Sequence, residues 1–130
     1  MGRVSVADVS VRGASLGDSP AKLEEQWGKP QVVAPSGLHL YHDQPRWAAL
    51  FQDGAAVALY GDQIEAGIPL LSQGDSRDVA HRKLGPPTDP GILSSAQPPH
   101  YESYDTGSRR LIVNFQGDAV SGFVLTKMKT

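Results

Sequence analysis

The apolar and polar positions of this chain form two similar successions of a short helix followed by paired strands. The repeated segments are GDSPAKLEEQWGKP (17–30) and GDSRDVAHRKLGPP (74–87), and then FQDGAAVALY (51–60) and FQGDAVSGFV (115–124). Internal repetition constrains the architecture before any single residue is interpreted. We therefore predict two tandem repeats, over about residues 12–61 and 67–127.

Each predicted helix carries its own start and stop signals. Ser19 can accept a hydrogen bond from a free amide of the first turn, and Pro20 suits the first helical position. Leu23 and Trp27 form a narrow apolar stripe, and Gly28 permits the helix to end. The second segment offers the same pattern through Asp75 or Ser76, Ala80, Leu84 and Gly85. Helices of about eight residues do not persist alone, so both are expected to pack on a sheet.

Alternating apolar residues predict three strands in each repeat. The predicted strands are residues 38–42, 46–51 and 55–60, then 100–104, 111–115 and 120–126. The sequences QDG and QGD supply hairpin turns between the last two strands of each set. The expected fold class is α+β, with one continuous antiparallel sheet and both short helices packed on one of its faces.

Three segments fall outside the repeated pattern. Residues 4–11 predict an edge strand or extended arm, and residues 61–69 predict a linker between the repeats. The proline-rich residues 86–99 predict a long exposed loop. This loop exceeds the corresponding linker 31–37, and such insertions in repeats often mark a functional edge.

Composition narrows the classes of function. A length of 130 residues predicts a single domain over residues 1–130, and 12 basic against 14 acidic side chains give no patch that favours nucleic acid. The absence of cysteine excludes disulfides and thiolate metal sites. No apolar run approaches the roughly 20 residues that span a bilayer, and no signal peptide is visible after Met1.

The capping and hairpin motifs resemble a known bacterial module. The motifs are Leu16-Gly17-Asp18-Ser19, Trp27-Gly28-Lys29-Pro30, Phe51-Gln52-Asp53-Gly54 and Leu84-Gly85-Pro86-Pro87. They resemble the CAP-associated domain, which precedes secreted SCP/CAP domains, within the wider tandem-repeat fold of the β-lactamase inhibitory protein. Gln73 departs from that pattern, which has an apolar residue there. The resemblance implies an extracellular or cell-envelope location and a binding or accessory role, and it transfers no catalytic residue.

Aromatic residues on the predicted strands give a candidate binding surface. Tyr41, Trp47, Tyr101 and Tyr104 are expected on the sheet face that the helices leave open. Tyrosine and tryptophan provide large contact areas with little loss of entropy, so we predict binding to another protein there. The inhibitory-protein relatives also bind through that face. The alternative is that these aromatics fill the core. The sequence leaves monomer and homodimer open.

A metal-binding or hydrolytic function is the main alternative. His39, His42 and His100 are its candidate residues, together with Asp105. On a regular strand His39 and His42 would point to opposite faces, which opposes a shared ion. No Gly-x-Ser-x-Gly elbow is present, and the serines of both Gly-Asp-Ser motifs are explained as helix caps. We therefore expect no catalysis and no cofactor, with a structural spacer as a further alternative.

Overall fold

A computed structural model describes residues 9–43, 45–88, 101–106 and 108–127 of the chain. Within these residues the elements are β1 (Ser10–Val11), α1 (Pro20–Trp27), β2 (Val32–Val33), β3 (Leu38–His42), β4 (Trp47–Gln52), β5 (Ala55–Gly61), β6 (Gln63–Glu65), β7 (Pro69–Ser72), α2 (Arg77–Leu84), β8 (Tyr101–Thr106), β9 (Arg109–Gln116) and β10 (Ala119–Lys127). Of the edge strand or arm predicted over residues 4–11, residues 4–8 lie outside the described residues, and β1 occupies its end. Residues 89–99 of the predicted proline-rich loop 86–99 and His100 also lie outside them.

The strands form two antiparallel sheets. The large sheet has seven strands in the order β2-β3-β4-β5-β10-β9-β8, and the small one has three in the order β1-β6-β7. The α+β prediction is confirmed, but the expectation of a single sheet is wrong. The segment predicted to be a linker contains β6 and begins β7, and its Ile64 is fully buried opposite Val11 of β1. These strands are too short to give a readable alternation.

In the middle of the large sheet, β5 joins the strands from the first half of the chain (β2 to β5) to those from the second half (β8 to β10) by pairing with β10. On β5 and β10, Leu59 lies opposite Leu125 and Tyr60 lies opposite Val124. Leu59 and Leu125 are both fully buried and belong to one hydrophobic cluster, which also includes residues from both helices. This pairing therefore gives the two groups of strands a shared core.

Both helices begin and end as their sequences predict. The hydroxyl of Ser19 accepts a hydrogen bond from the Lys22 amide at 3.2 Å, and that of Ser76 accepts one from Val79 at 3.1 Å. The glycines after the helices, Gly28 and Gly85, have φ of 83° and 84°, a region that glycine enters without strain. Within the described residues, no helix has the length and apolar character needed to cross a membrane.

The helices cover the same face of the large sheet. Trp27 of α1 packs edge-on against Tyr41 of β3, with ring centroids 5.3 Å apart. His81 of α2 contacts Glu102 of β8, which lies opposite the buried Val113 of β9. The pairing between strands assigns the side chains of Tyr41, Glu102 and Val113 to this covered face. The opposite face carries neither of the two described helices.

We predict that Gly61→Ala destabilises the protein. A Cβ atom at Gly61 would approach the Cγ1 of Val11, a fully buried side chain with little freedom to move. Such overpacking costs about 1–3 kcal/mol, which urea denaturation measures directly. Gly122→Ala is the matched control in the neighbouring strand, since its Cβ would meet only the Gly61 carbonyl oxygen at 3.5 Å. Equal stability of the two variants would contradict the prediction.

Candidate functional site

Two of the four candidate aromatic residues are buried under the helices. Tyr41 and Tyr104 are each 4% exposed, so the expectation that they lie on the open face is wrong. Tyr104 lies opposite the buried Leu111, and Tyr41 packs against Trp27. Their positions on the strands belong to the covered face, which the alternation of residues alone does not identify. Both side chains therefore belong to the core and do not form an exposed surface.

The hydroxyl groups of these tyrosines have no hydrogen-bond partner in the described part of the chain. Burial, followed by the charge of Glu24, raises the pKa of Tyr41 from 10.0 to about 12. Burial also raises the pKa of Tyr104; the neighbouring Glu102 adds to this and Arg77 opposes it. The rings therefore contribute packing, while the buried hydroxyls are energetic liabilities.

Trp47 and Tyr101 are partly exposed but lie apart. The indole of Trp47 sits on the covered side, where its N–H donates to Asp62 at 3.0 Å and the guanidinium of Arg12 lies 4.1 Å from its ring centroid. Arg12 also pairs with Asp62 at 3.1 Å. Tyr101 lies opposite Asn114 on the open face. The four aromatics thus do not form one surface.

The candidate metal-binding histidines have aromatic neighbours. The ring of His39 lies 4.7 Å from that of Phe51, and the ring of His42 stacks on Trp47, also at 4.7 Å. A regular strand would place His39 and His42 on opposite faces, but a register shift between Leu40 and His42 interrupts the alternation. His100 lies outside the described residues. Among the residues that are described, no group of three or more His, Cys, Asp or Glu side chains is arranged to hold a metal ion.

Strand β8 carries a buried carboxylate, Glu102, which the sequence pattern did not indicate. Glu102 receives the guanidinium of Arg77 at 3.3 Å and lies 2.8 Å from Nε2 of His81. Arg77 also covers the ring of Phe115 at 4.0 Å, so the cluster ties α2 to the sheet. The sequence feature that could have indicated this burial is the position of Glu102 between Tyr101 and Tyr104 on a predicted strand. Its carboxylate is engaged on the covered face, which fits a structural role.

Asp105, the acidic residue of the hydrolase alternative, is also engaged. Its two carboxylate oxygens accept hydrogen bonds from the Arg110 guanidinium at 2.8 and 3.0 Å. The hydrogen bonds from Arg110 are the main cause that lowers the pKa of Asp105. A carboxylate held ionised in this way is poorly suited to donate a proton in general acid catalysis.

The open face carries an uncharged row of side chains that crosses the whole large sheet. Seven residues lie opposite one another in sequence: Val32, Leu40, Ala48, Tyr60, Val124, Ile112 and Ser103. We name these residues the open-face row. Val32 is 53% exposed, and Leu40, Tyr60, Val124 and Ile112 are half-buried, whereas Ala48 and Ser103 are buried. In the sequence, this row is indicated by strands that have apolar residues at both odd and even positions.

A second feature of the open face is a groove of about 590 Å³ over the central strands of the large sheet. It lies where β5, β10 and β9 run side by side, next to the connection from β3 to β4. Tyr60 and Val124 of the open-face row form part of its wall, and Asn114 and Gly122 also line it. The groove thus continues the apolar row into a more polar region.

We predict that the rings of the two buried tyrosines matter to folding and their hydroxyls do not. Tyr104→Ala is expected to cost about 3–5 kcal/mol of unfolding free energy, because it leaves a cavity. Tyr104→Phe is expected to be neutral or stabilising by up to about 1 kcal/mol, because a buried hydroxyl without a partner disappears. Urea denaturation at neutral pH compares the two variants. Strong destabilisation by the Phe variant would show that the hydroxyl has a stabilising partner.

The raised pKa of Tyr41 predicts loss of stability in alkali. Tyr41 favours the folded state fully below pH 10.0, and this contribution declines as the pH rises towards about 12, because the folded state resists ionisation of the buried phenol. Tyr41→Phe should therefore lose less unfolding free energy than the wild type over that interval. Denaturation curves across this pH range test the difference, and parallel losses in both proteins would contradict it.

Comparison with known proteins relates the fold to bacterial proteins at low sequence identity. No family model matches the chain, and no curated protein matches it either. An extracellular protein with an SCP domain from Bacillus anthracis str. Ames is 11% identical with a TM-score of 0.62, over 86% of this chain and 44% of that chain. A cysteine-rich secretory protein (SAV1118) from Staphylococcus aureus subsp. aureus Mu50 is 15% identical with a TM-score of 0.58, over the same shares.

A third solved structure matches over most of both chains. The DUF4309 family protein YjgB from Bacillus subtilis subsp. subtilis str. 168 is 15% identical with a TM-score of 0.57, over 91% of this chain and 81% of that chain. The chain spans less than half the length of the two SCP-type proteins. These likenesses establish a distant fold relationship, and its members include proteins described as extracellular or secretory.

Proposed function

We propose that this protein is a non-catalytic binding or accessory module of a secreted or envelope-associated bacterial protein, and that it binds another protein through its open sheet face. The observation that carries the proposal is the open-face row, which is uncharged and extends over seven strands. Five of its seven side chains are at least partly exposed, while Ala48 and Ser103 are buried. Contiguous apolar surface of this kind marks interaction sites in soluble proteins. The centre of a protein interface is likewise depleted of charged residues.

The row lies on a rigid support with a polar margin. Every strand of the large sheet is hydrogen-bonded to its neighbours, so the side chains of the row are held in place before a partner arrives. Preorganisation of this kind lowers the entropic cost of association. The ion pair between Arg110 and Asp105 lies beside the row at one edge of the sheet. An apolar centre with a polar rim is typical of protein interfaces.

A non-catalytic role is supported by the use of the ionisable groups. The carboxylates of Glu102, Asp105 and Asp62 each engage an arginine, through short contacts that stabilise the fold. A secreted or envelope location is supported by the extracellular and secretory proteins that share the fold.

We infer further that the two halves of the chain are tandem repeats similar to the CAP-associated domain. The matching serine caps of α1 and α2, and the glycines Gly28 and Gly85 at their ends, support this. Tyr41 and Tyr104 also have the same character, because each is buried with a hydroxyl that lacks a partner in the described residues.

A capture experiment tests the proposed binding face. Immobilised wild type is incubated with culture fluid and envelope extract of the source organism, beside the double variant Leu40→Lys/Ile112→Lys. Lysine extends from a partly exposed strand position into water, so the variant should fold. The matched control is Ile68→Lys, since Ile68 is 72% exposed and lies outside the large sheet. We expect a captured protein to be lost from the double variant alone.

The captured protein is then purified and its affinity for each variant is measured. We expect the double variant to bind at least about tenfold more weakly, because two anchors at the centre of an interface carry a large part of its energy. The Ile68→Lys control should bind like the wild type. Wild-type affinity of the folded double variant would exclude the open face as the binding site. Failure to capture a protein from either fraction would favour a structural spacer.

A further inference from the structure

A single tight turn joins the two halves of the chain. The first half runs from β1 to β6 and the second from β7 to β10, and residues 66–68 connect them. In this turn Gly67 has a φ of 82°, and the Ala66 amide donates to the Ile68 carbonyl at 3.0 Å. The closed turn therefore depends on a left-handed conformation that glycine adopts freely and a β-branched residue resists.

The two arginine clusters each lie within one half. Arg12 pairs with Asp62 in the first half at 3.1 Å, and Arg77 pairs with Glu102 in the second at 3.3 Å. The halves meet through the pairing of β5 with β10 and of β6 with β7, and through the shared apolar core. An identical second half from another copy of the chain would supply every one of these contacts.

The turn also carries an apolar side chain that the monomer leaves in water. Ile68 is 72% exposed, the largest fraction among the large apolar residues that the structure describes. Pro69 follows it and has no amide hydrogen with which to tie the turn closed. Short hinge loops between two elements that need each other favour exchange of those elements between copies. Here each element is a half of roughly 60 residues, which is marginal without the other.

We propose that two copies of this chain form a dimer by exchanging their second halves, with residues 66–68 as the hinge. In the dimer, β10 of one copy pairs with β5 of the other, and β7 of one copy pairs with β6 of the other. A reciprocal exchange closes about a two-fold axis, so assembly stops at two copies. The two extended hinges lie side by side at this axis, where each Ile68 is covered by the other copy. The exchange does not depend on the binding role proposed for the open-face row.

A disulfide between β5 and β10 detects the exchange. The chain has no cysteine, and Ala58 lies opposite Thr126, so the double variant Ala58→Cys/Thr126→Cys can form one disulfide per pair of strands. The reduced variant is unfolded in urea, refolded at about 10 μM or about 1 mM, oxidised, and run on a denaturing gel without reductant. The disulfide stays within one chain in a monomer, whereas it links two chains in the exchanged dimer.

We expect linked dimers after refolding at the higher concentration, and a fraction lower by about tenfold or more at the lower one, because exchange requires two chains to meet. The matched control is Leu50→Cys/Ala58→Cys. Leu50 of β4 also lies opposite Ala58, but both residues belong to the first half. This control should form disulfides only within single chains, and it measures any random linkage between chains.

A substitution in the turn assigns the hinge. Gly67→Val opposes the closed turn through its backbone alone, because a Cβ atom at Gly67 would meet nothing within 4 Å. An extended hinge carries no such penalty, so the association constant of the dimer should rise by about tenfold or more. Size-exclusion chromatography with light scattering measures it. Gly54→Val is the matched control, since Gly54 has a φ of 78°, equal space around it, and a place inside the first half.

Two results would overturn the proposal. The first is that Ala58→Cys/Thr126→Cys forms disulfides only within single chains after refolding at about 1 mM. The second is that Gly67→Val and Gly54→Val raise the dimer fraction equally, which would show that any weakening of the fold has this effect and that residues 66–68 are not the hinge.

Discussion

The antiparallel pairing of β5 with β10 is the interaction on which the rest of the structure depends. Each half of the chain supplies one eight-residue helix, which could not persist in water by itself. A unit of roughly 60 residues also buries too little surface to be robustly stable. Pairing of the two strands places Leu59 beside Leu125, and the apolar residues of both halves then form one cluster. The shared core supplies the burial that each half lacks.

The two helices pack on one face of the sheet, and the consequences differ between the faces. The covered face contains the polar clusters as well as the core. Arg12 lies over the ring of Trp47 and pairs with Asp62, while Arg77 lies over Phe115 and pairs with Glu102. An arginine stacks well on an aromatic ring and can bond a carboxylate at the same time. The carboxylates of these clusters thus hold helices, strands and turns together.

The open face has a different composition because neither of the two described helices packs on it. Its central row is uncharged, and its groove contains an acid and a base without partners in the described residues. Gly61 and Gly122 show the distinction at adjacent positions. The first is glycine because Val11 occupies the space on the covered side, whereas the second lies at a bulge of β10, where the register shifts between Val120 and Gly122.

The sequence by itself determined the elements that depend on neighbours a few residues away. Ser19 caps an amide three residues further on, and the glycine after each helix needs only its own backbone freedom, so both helices were predictable. Apolar alternation likewise predicted the hairpins and the α+β class. The small sheet was not predictable, because β1 and β6 meet only when distant segments pack.

Only the tertiary structure decided which side of each strand became the core. Alternation shows which residues share a face, but both faces of these strands carry apolar residues, so it does not identify the face that the helices cover. Tyr41 and Tyr104 are buried for this reason, and Leu40 and Ile112 are left on the open face. The register shift beside His42 and the burial of Glu102 under Arg77 also required contacts across the fold. Local periodicity contains none of these contacts, because they form only when the two halves share one core.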